Sequence, residues 1–178
     1  MSTISAKVVS RAARALGPAP LGIMAHSRRV LAAVGGFEVA AGNTRAIAPR
    51  LKALAELETA RLVGCRFCID LGSALANEHG ISADELLDLP SAASSPRFTA
   101  LEKRVLDLAA AMSTAPMVVP RPLFDALIAE LGTPAMVELT AAIAWENFRA
   151  RFNHTFGAEE EGYSAQRVCL LPPKELHA

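Results

Sequence analysis

Aromatic side chains are scarce, at 5% of the 178 residues, and neither charge is in excess, because 18 Lys and Arg balance 18 Asp and Glu. A chain without a net field has no electrostatic pull toward nucleic acid or an anionic bilayer, so neither is an expected partner. Long apolar runs are also missing. Stretches such as Ala141–Trp145 fall far short of the roughly 20 residues that span a membrane. Met1–Ser10 has no basic n-region followed by an apolar core, so no signal peptide is read there, and a cytoplasmic location is expected. No G-x-G-x-x-G or G-x-x-x-x-G-K occurs, which removes the common phosphate-binding loops, and no organic cofactor is implied. Runs of alternating β-branched residues are absent as well, which argues against sheets.

What remains is apolar, alanine-rich and punctuated. Hydrophobic residues make up 52% of the chain. That content suits a single all-α domain over residues 1–178, read as a helical bundle of about seven to nine helices. Ile4, Val8, Ala12 and Leu16 mark a first amphipathic helix, which Gly17-Pro18-Ala19-Pro20 ends. A second is expected over about 21–35, closing at Gly35-Gly36, and 37–49 has no clear pattern. A third runs from Pro49 to Val63, where Gly64 breaks it. The next reaches His79, with Gly80 as C-cap. Ser82-x-x-Glu85 and Thr99-x-x-Glu102 are capping boxes for two more. A helix over 120–131 stops at Gly132, and Thr133-Pro134 opens the last long one, to about His154. The tail over 158–178 reads as irregular.

Three cysteines are present: Cys65, Cys68 and Cys169. The first two form a C-x-x-C directly after Gly64, at the start of a predicted helix. Free N–H groups and the positive end of the dipole favour an anion at that place. A thiolate there is stabilised, and the thiolate is the nucleophile of sulfur chemistry. The i, i+3 spacing brings both sulfurs to one face of the first turn, where a disulfide can close. Arg66 adds a positive charge. Zinc requires four ligands, so Cys169 and a histidine would have to complete such a site, and no metal is expected. Haem attachment requires histidine where Ile69 stands. Two buried structural cysteines are the plain alternative.

Leu62-Val63-Gly64-Cys65-Arg66-Phe67-Cys68-Ile69-Asp70-Leu71-Gly72-Ser73-Ala74 resembles the carboxymuconolactone decarboxylase / alkylhydroperoxidase D-like family. The resemblance continues through Gly80-Ile81-Ser82, Leu89-Pro90, Glu138-Leu139-Thr140-Ala141 and Glu146–Asn153, covering roughly 20–160. It implies an all-helical fold that assembles as a dimer, trimer or hexamer. It also implies reduction of a hydroperoxide or disulfide, with electrons from a lipoyl or thioredoxin-like partner. In the redox members the second cysteine attacks and the first resolves, which maps to Cys68 and Cys65. The family's relay glutamate and histidine map to Ala53 and Gly72, so this chain lacks both. The family's other branch implies a lyase or isomerase acting on a small cyclic acid. A non-catalytic, redox-sensing oligomer is the third possibility.

Glu58 is a candidate replacement base, because it lies on a helical stripe with Leu51, Leu54, Ala55 and Leu62, two turns before Cys65. Burial there would raise its pKa. Glu56, one turn from Ala53, reads as exposed. Glu146 is the second candidate, on a polar stripe with Glu138, Arg149 and Asn153 beside the apolar stripe of the last helix. That stripe faces either water, or the cysteines or a subunit interface. His26, His79, His154 and His177 read as structural, with His154 closest to a candidate site. Asp70 suits the first turn of the cysteine helix electrostatically, although it would oppose a nearby thiolate.

Overall fold

The computed structural model describes residues 18–164 and 170. The amphipathic stretch at 4–16, Cys169 and His177 lie outside the described residues. The chain divides between residues 46 and 47 into two compact units.

In the first unit, α1 (Pro18–Met24) and α2 (Arg28–Ala41) pack on each other. The expected helix over 21–35 is corrected at both ends. Ser27 interrupts it, accepting from the Val30 N–H as an N-cap at 3.5 Å. The new helix then passes through Gly35-Gly36 to Ala41, because glycine inside a helix costs only about 1 kcal/mol and does not stop it.

The second unit holds α3 (Pro49–Val63), α4 (Arg66–Leu75), a 3₁₀ turn (Ala76–His79), α5 (Ala83–Asp88), a second 3₁₀ turn (Leu89–Ser91), α6 (Ala100–Ser113) and α7 (Arg121–Thr155). No strand occurs among the described residues. α3 sits in the middle and packs against α4, α6 and α7. Leu51, Leu54, Ala55, Leu57, Thr59 and Ala60 are all buried, so they occupy nearly every direction around α3, as expected for a core helix. Leu51 and Ala55 join Val105, Leu127, Leu139 and Ile143 in one core cluster. Leu54 and Leu57 join Ile81, Leu86, Leu89 and Leu106 in another.

α7 breaks where the sequence indicates. Gly132 has φ 75° and ψ 164°, a conformation that essentially only glycine adopts, and Pro134 follows near the start of the next helical stretch. By length and composition α7 is apolar enough to cross a membrane, with a window of mean hydropathy 1.4. Its Leu127, Leu139 and Ile143 are fully buried in the unit's own core.

Arg50 ties three helices together. Its Nη2 lies 2.5 Å from Glu85 and its Nε 2.6 Å from Glu102, and it also donates to the Gly80 carbonyl. Both glutamates are the reciprocal members of the capping boxes that open α5 and α6. The hydrogen bond from Arg50, against the opposing effect of burial, holds the Glu85 carboxyl at about 2. Burial also opposes ionisation of Glu102, but the Thr99 backbone N–H and Arg50 outweigh it and lower its pKa. These depressed values stabilise the fold fully above the unfolded carboxyl pKa of roughly 4.3. That stabilisation fades as pH falls from there through the folded values, about 2 for Glu85. Arg50→Ala is expected to cost about 2–4 kcal/mol in urea unfolding at neutral pH, because it strands the buried Glu102 charge. It should also flatten the loss of stability on acidification.

Candidate thiol site

Gly64 caps α3 in the left-handed region, at φ 79° and ψ 27°, and turns the chain directly into α4. Cys65 is the N-cap of α4, and its sulfur accepts from the Cys68 backbone N–H at 3.2 Å. The two Cα atoms are 5.3 Å apart and the sulfurs lie at bonding distance. Cys65 is 1% exposed, whereas Cys68 is half-buried. Any reagent from solvent therefore meets Cys68 first.

Cys65 forms a small core cluster with Phe67 and Ala150, against which Val63, Cys68, Leu71, Ala158 and Tyr163 pack. Asn153, in the last turns of α7, reaches in from the far side. Its Nδ2 donates to Cys68 Sγ at 3.5 Å and stands 4.0 Å from Cys65 Sγ. Asn153 is buried, and its Oδ1 has no hydrogen-bond partner among the described residues.

The segment after α7 is strapped across the start of α4. Asp70, 1% exposed, accepts the backbone N–H groups of Glu161, Tyr163 and Ser164 at 3.0, 3.0 and 2.8 Å, and the Ser164 hydroxyl. Burial opposes its ionisation, but these hydrogen bonds outweigh burial and lower its pKa. Asp70 is thus an anchor for this segment, where the sequence suggested a dipole partner. Arg66 pairs with Glu160 at 2.7 Å and Glu159 at 3.2 Å, so its charge is shared with the strap and is not directed at the thiols alone. Phe67 meets Tyr163 edge to face at 6.0 Å. Burial and the bond to Glu161 push the Tyr163 hydroxyl up to about 12.

The other candidate residues fall into two ion-pair groups. Glu58 is buried, with both oxygens on Arg61 at 2.7 and 2.8 Å. Glu146 is also buried, with Oε2 2.5 Å from Arg149. Arg149 reaches Glu56 on α3 at 3.3 Å, so Glu56 is half-buried and paired. Glu138 accepts from the Ile47 N–H at 2.9 Å. Glu146, Arg149 and Asn153 follow one another at helical spacing along the buried side of α7. Asn153, at the sulfur end of that row, was visible in the sequence only as a polar position on this stripe. His154 next to it is exposed, and so is His26.

The two relay positions are filled by packing. Ala53 belongs to the core cluster of α3, and a Cβ at Gly72 would meet Leu57 Cδ2 at 2.8 Å. A histidine at 72 would require Leu57 to move.

An all-α fold with paired cysteines at the N-terminus of a helix defines a class of helical thiol proteins. Residues 27–111, a little under half of the chain, match the model of the carboxymuconolactone decarboxylase family. It is 32% identical over 126 residues to "Uncharacterized protein YnjA" of Escherichia coli strain K12, covering 71% of this chain and 66% of that protein. The chain thus spans a little under two thirds of that relative. Its fold is similar to the apo debrominase Bmp8, with TM-score 0.78 and 21% identity over 92% of this chain and 91% of that one. A cysteine-to-alanine variant of Bmp8 in complex with 2,3,4-tribromopyrrole aligns with TM-score 0.78 and 20% identity, over 92% and 90% of the two chains.

Proposed function

We propose that this protein is a thiol-dependent reductase, acting as a hydroperoxide peroxidase or thiol–disulfide oxidoreductase through Cys68 and Cys65. The observation that carries it is a half-buried Cys68 beside a buried Cys65 at the start of α4. The Cys68 thiolate attacks the distal oxygen of a hydroperoxide. The O–O bond breaks, the alkoxide takes a proton and leaves as alcohol, and Cys68 becomes a sulfenic acid. The Cys65 thiolate then attacks that sulfur and expels hydroxide, which leaves as water, and the disulfide closes. One hydroperoxide and two thiols give one alcohol, one water and one disulfide. An external dithiol of the lipoyl or thioredoxin type restores the pair by exchange. A reducing cytoplasm and a homo-oligomer fit this cycle.

A second substrate class is favoured by the likeness to the debrominase. Two thiols supply the same two electrons to an aryl bromide. The C–Br bond is replaced by C–H, bromide and a proton are released, and the same disulfide forms.

The test is stoichiometric. Reduced protein treated with an organic hydroperoxide should yield one alcohol per chain and lose two of its three thiols, with recovery on adding dihydrolipoamide. Unchanged thiols after prolonged exposure to hydroperoxide, bromopyrrole and disulfide would sink the proposal.

A further inference from the structure

We infer that Asn153 is the side chain that receives the charge on Cys68 and then handles the oxygen transferred to it. This inference rests on the thiol mechanism proposed above. The amide Nδ2 is 3.5 Å from Cys68 Sγ, and Asn153 is buried, so water does not compete for the contact. A neutral sulfur is a weak acceptor, but a thiolate is a strong one, so the bond strengthens on ionisation. The other end of the same amide supplies the second half of the inference. Asn153 Oδ1 is buried without a hydrogen-bond partner among the described residues, and such an atom calls for an explanation. An acceptor on the amide that touches the reacting sulfur suits the O–H of the Cys68 sulfenic acid once the oxygen has been transferred.

The neighbouring ionisable groups are engaged elsewhere. On α7, Arg149 and Glu146 pair with each other, and Arg149 also pairs with Glu56 of α3. On α3, Glu58 pairs with Arg61. On α4, Arg66 holds Glu159 and Glu160, while Asp70 holds the backbone of the strap that carries Glu161 and Tyr163.

The experiment follows alkylation of Cys68 against pH in a Cys65→Ser background, read on the Cys68 peptide by mass spectrometry, with circular dichroism melts as the check on folding. Asn153→Ala should raise the Cys68 midpoint by about one pH unit, a roughly tenfold slower reaction below the midpoint, and leave the high-pH plateau unchanged. Asn153→Asp, which keeps the shape but adds a negative charge, should raise it further. A folded Asn153→Ala with an unmoved midpoint overturns the inference. In the reduced wild type, the Asn153 side-chain amide proton should titrate together with Cys68 by NMR, and an amide that does not respond also overturns it. Hydroperoxide reactivity, compared per thiolate above the midpoint, reads the role of Oδ1. A further severalfold loss in Asn153→Ala supports it, and equal rates remove it. If wild-type protein turns over no hydroperoxide while these midpoints move as expected, the proposed activity fails and the Asn153–thiolate contact stands.

Discussion

Cys68→Ser is expected to lower hydroperoxide turnover by about 10³-fold or more, while Cys65→Ser retains a single turnover and then stalls. The two cysteines are three residues apart but differ in access and in partners. Cys68 is half-buried and takes the Asn153 amide, so in the proposed cycle it is the thiol that meets the substrate. Serine in its place stays protonated at neutral pH, and its hydroxyl is a poor nucleophile toward oxygen. Cys65 is 1% exposed, and its sulfur is fixed by the Cys68 N–H. Without it the first attack proceeds and the sulfenic acid accumulates, because no neighbouring thiol closes the disulfide. Rapid mixing with hydroperoxide should show a burst of about one alcohol per chain in Cys65→Ser and none in Cys68→Ser, with mass spectrometry locating the added oxygen on Cys68. An equal burst in Cys68→Ser would overturn the assignment of the attack to Cys68.

Asp70→Ala should cost about 3 kcal/mol of stability and free the segment around 161–164 from α4. Three backbone N–H groups and one hydroxyl share this buried carboxylate, so its removal leaves several donors to find water at once. Hydrogen exchange should report fast amides at Glu161, Tyr163 and Ser164 in the variant and protected ones in the wild type. The pH dependence has a definite sign. The folded carboxyl is lowered, so its contribution is complete above the unfolded value of roughly 3.9 and disappears as pH falls through the folded one. Urea unfolding at neutral pH and in acid should therefore differ less in Asp70→Ala than in the wild type. A variant as stable as the wild type at neutral pH would show that the strap adds nothing to the fold.

Local rules made much of the helical layout legible. Pro49 starts α3, Gly64 ends it in a left-handed turn, Ser82 and Thr99 cap α5 and α6, and Gly132 interrupts α7. Each of these signals acts within a few residues, so a single chain displays it. Gly35-Gly36 misled for the same reason in reverse. Two glycines lower helix propensity without creating a stop, and α2 continues through them to Ala41. Cys65 as an N-cap is equally local, because its sulfur and the Cys68 N–H are joined through one turn.

The roles of single polar residues were not legible, because their partners lie far along the chain. Asp70 and Ser164 are 94 residues apart, and Asn153 and Cys68 are 85. Glu58 and Glu146 were visible as carboxylates on apolar helices, but only packing pairs them with Arg61 and with Arg149. The absence of a relay histidine at Gly72 was plain in the sequence, whereas the Leu57 side chain occupying that space became visible only with α3 laid against α4. Spacing and capping, which depend on neighbours, set the helices and placed two thiols on one turn. Tertiary packing decided which thiol faces solvent, which amide touches it and which carboxylates are already committed to arginines, because burial and long-range contact exist only once the helices meet.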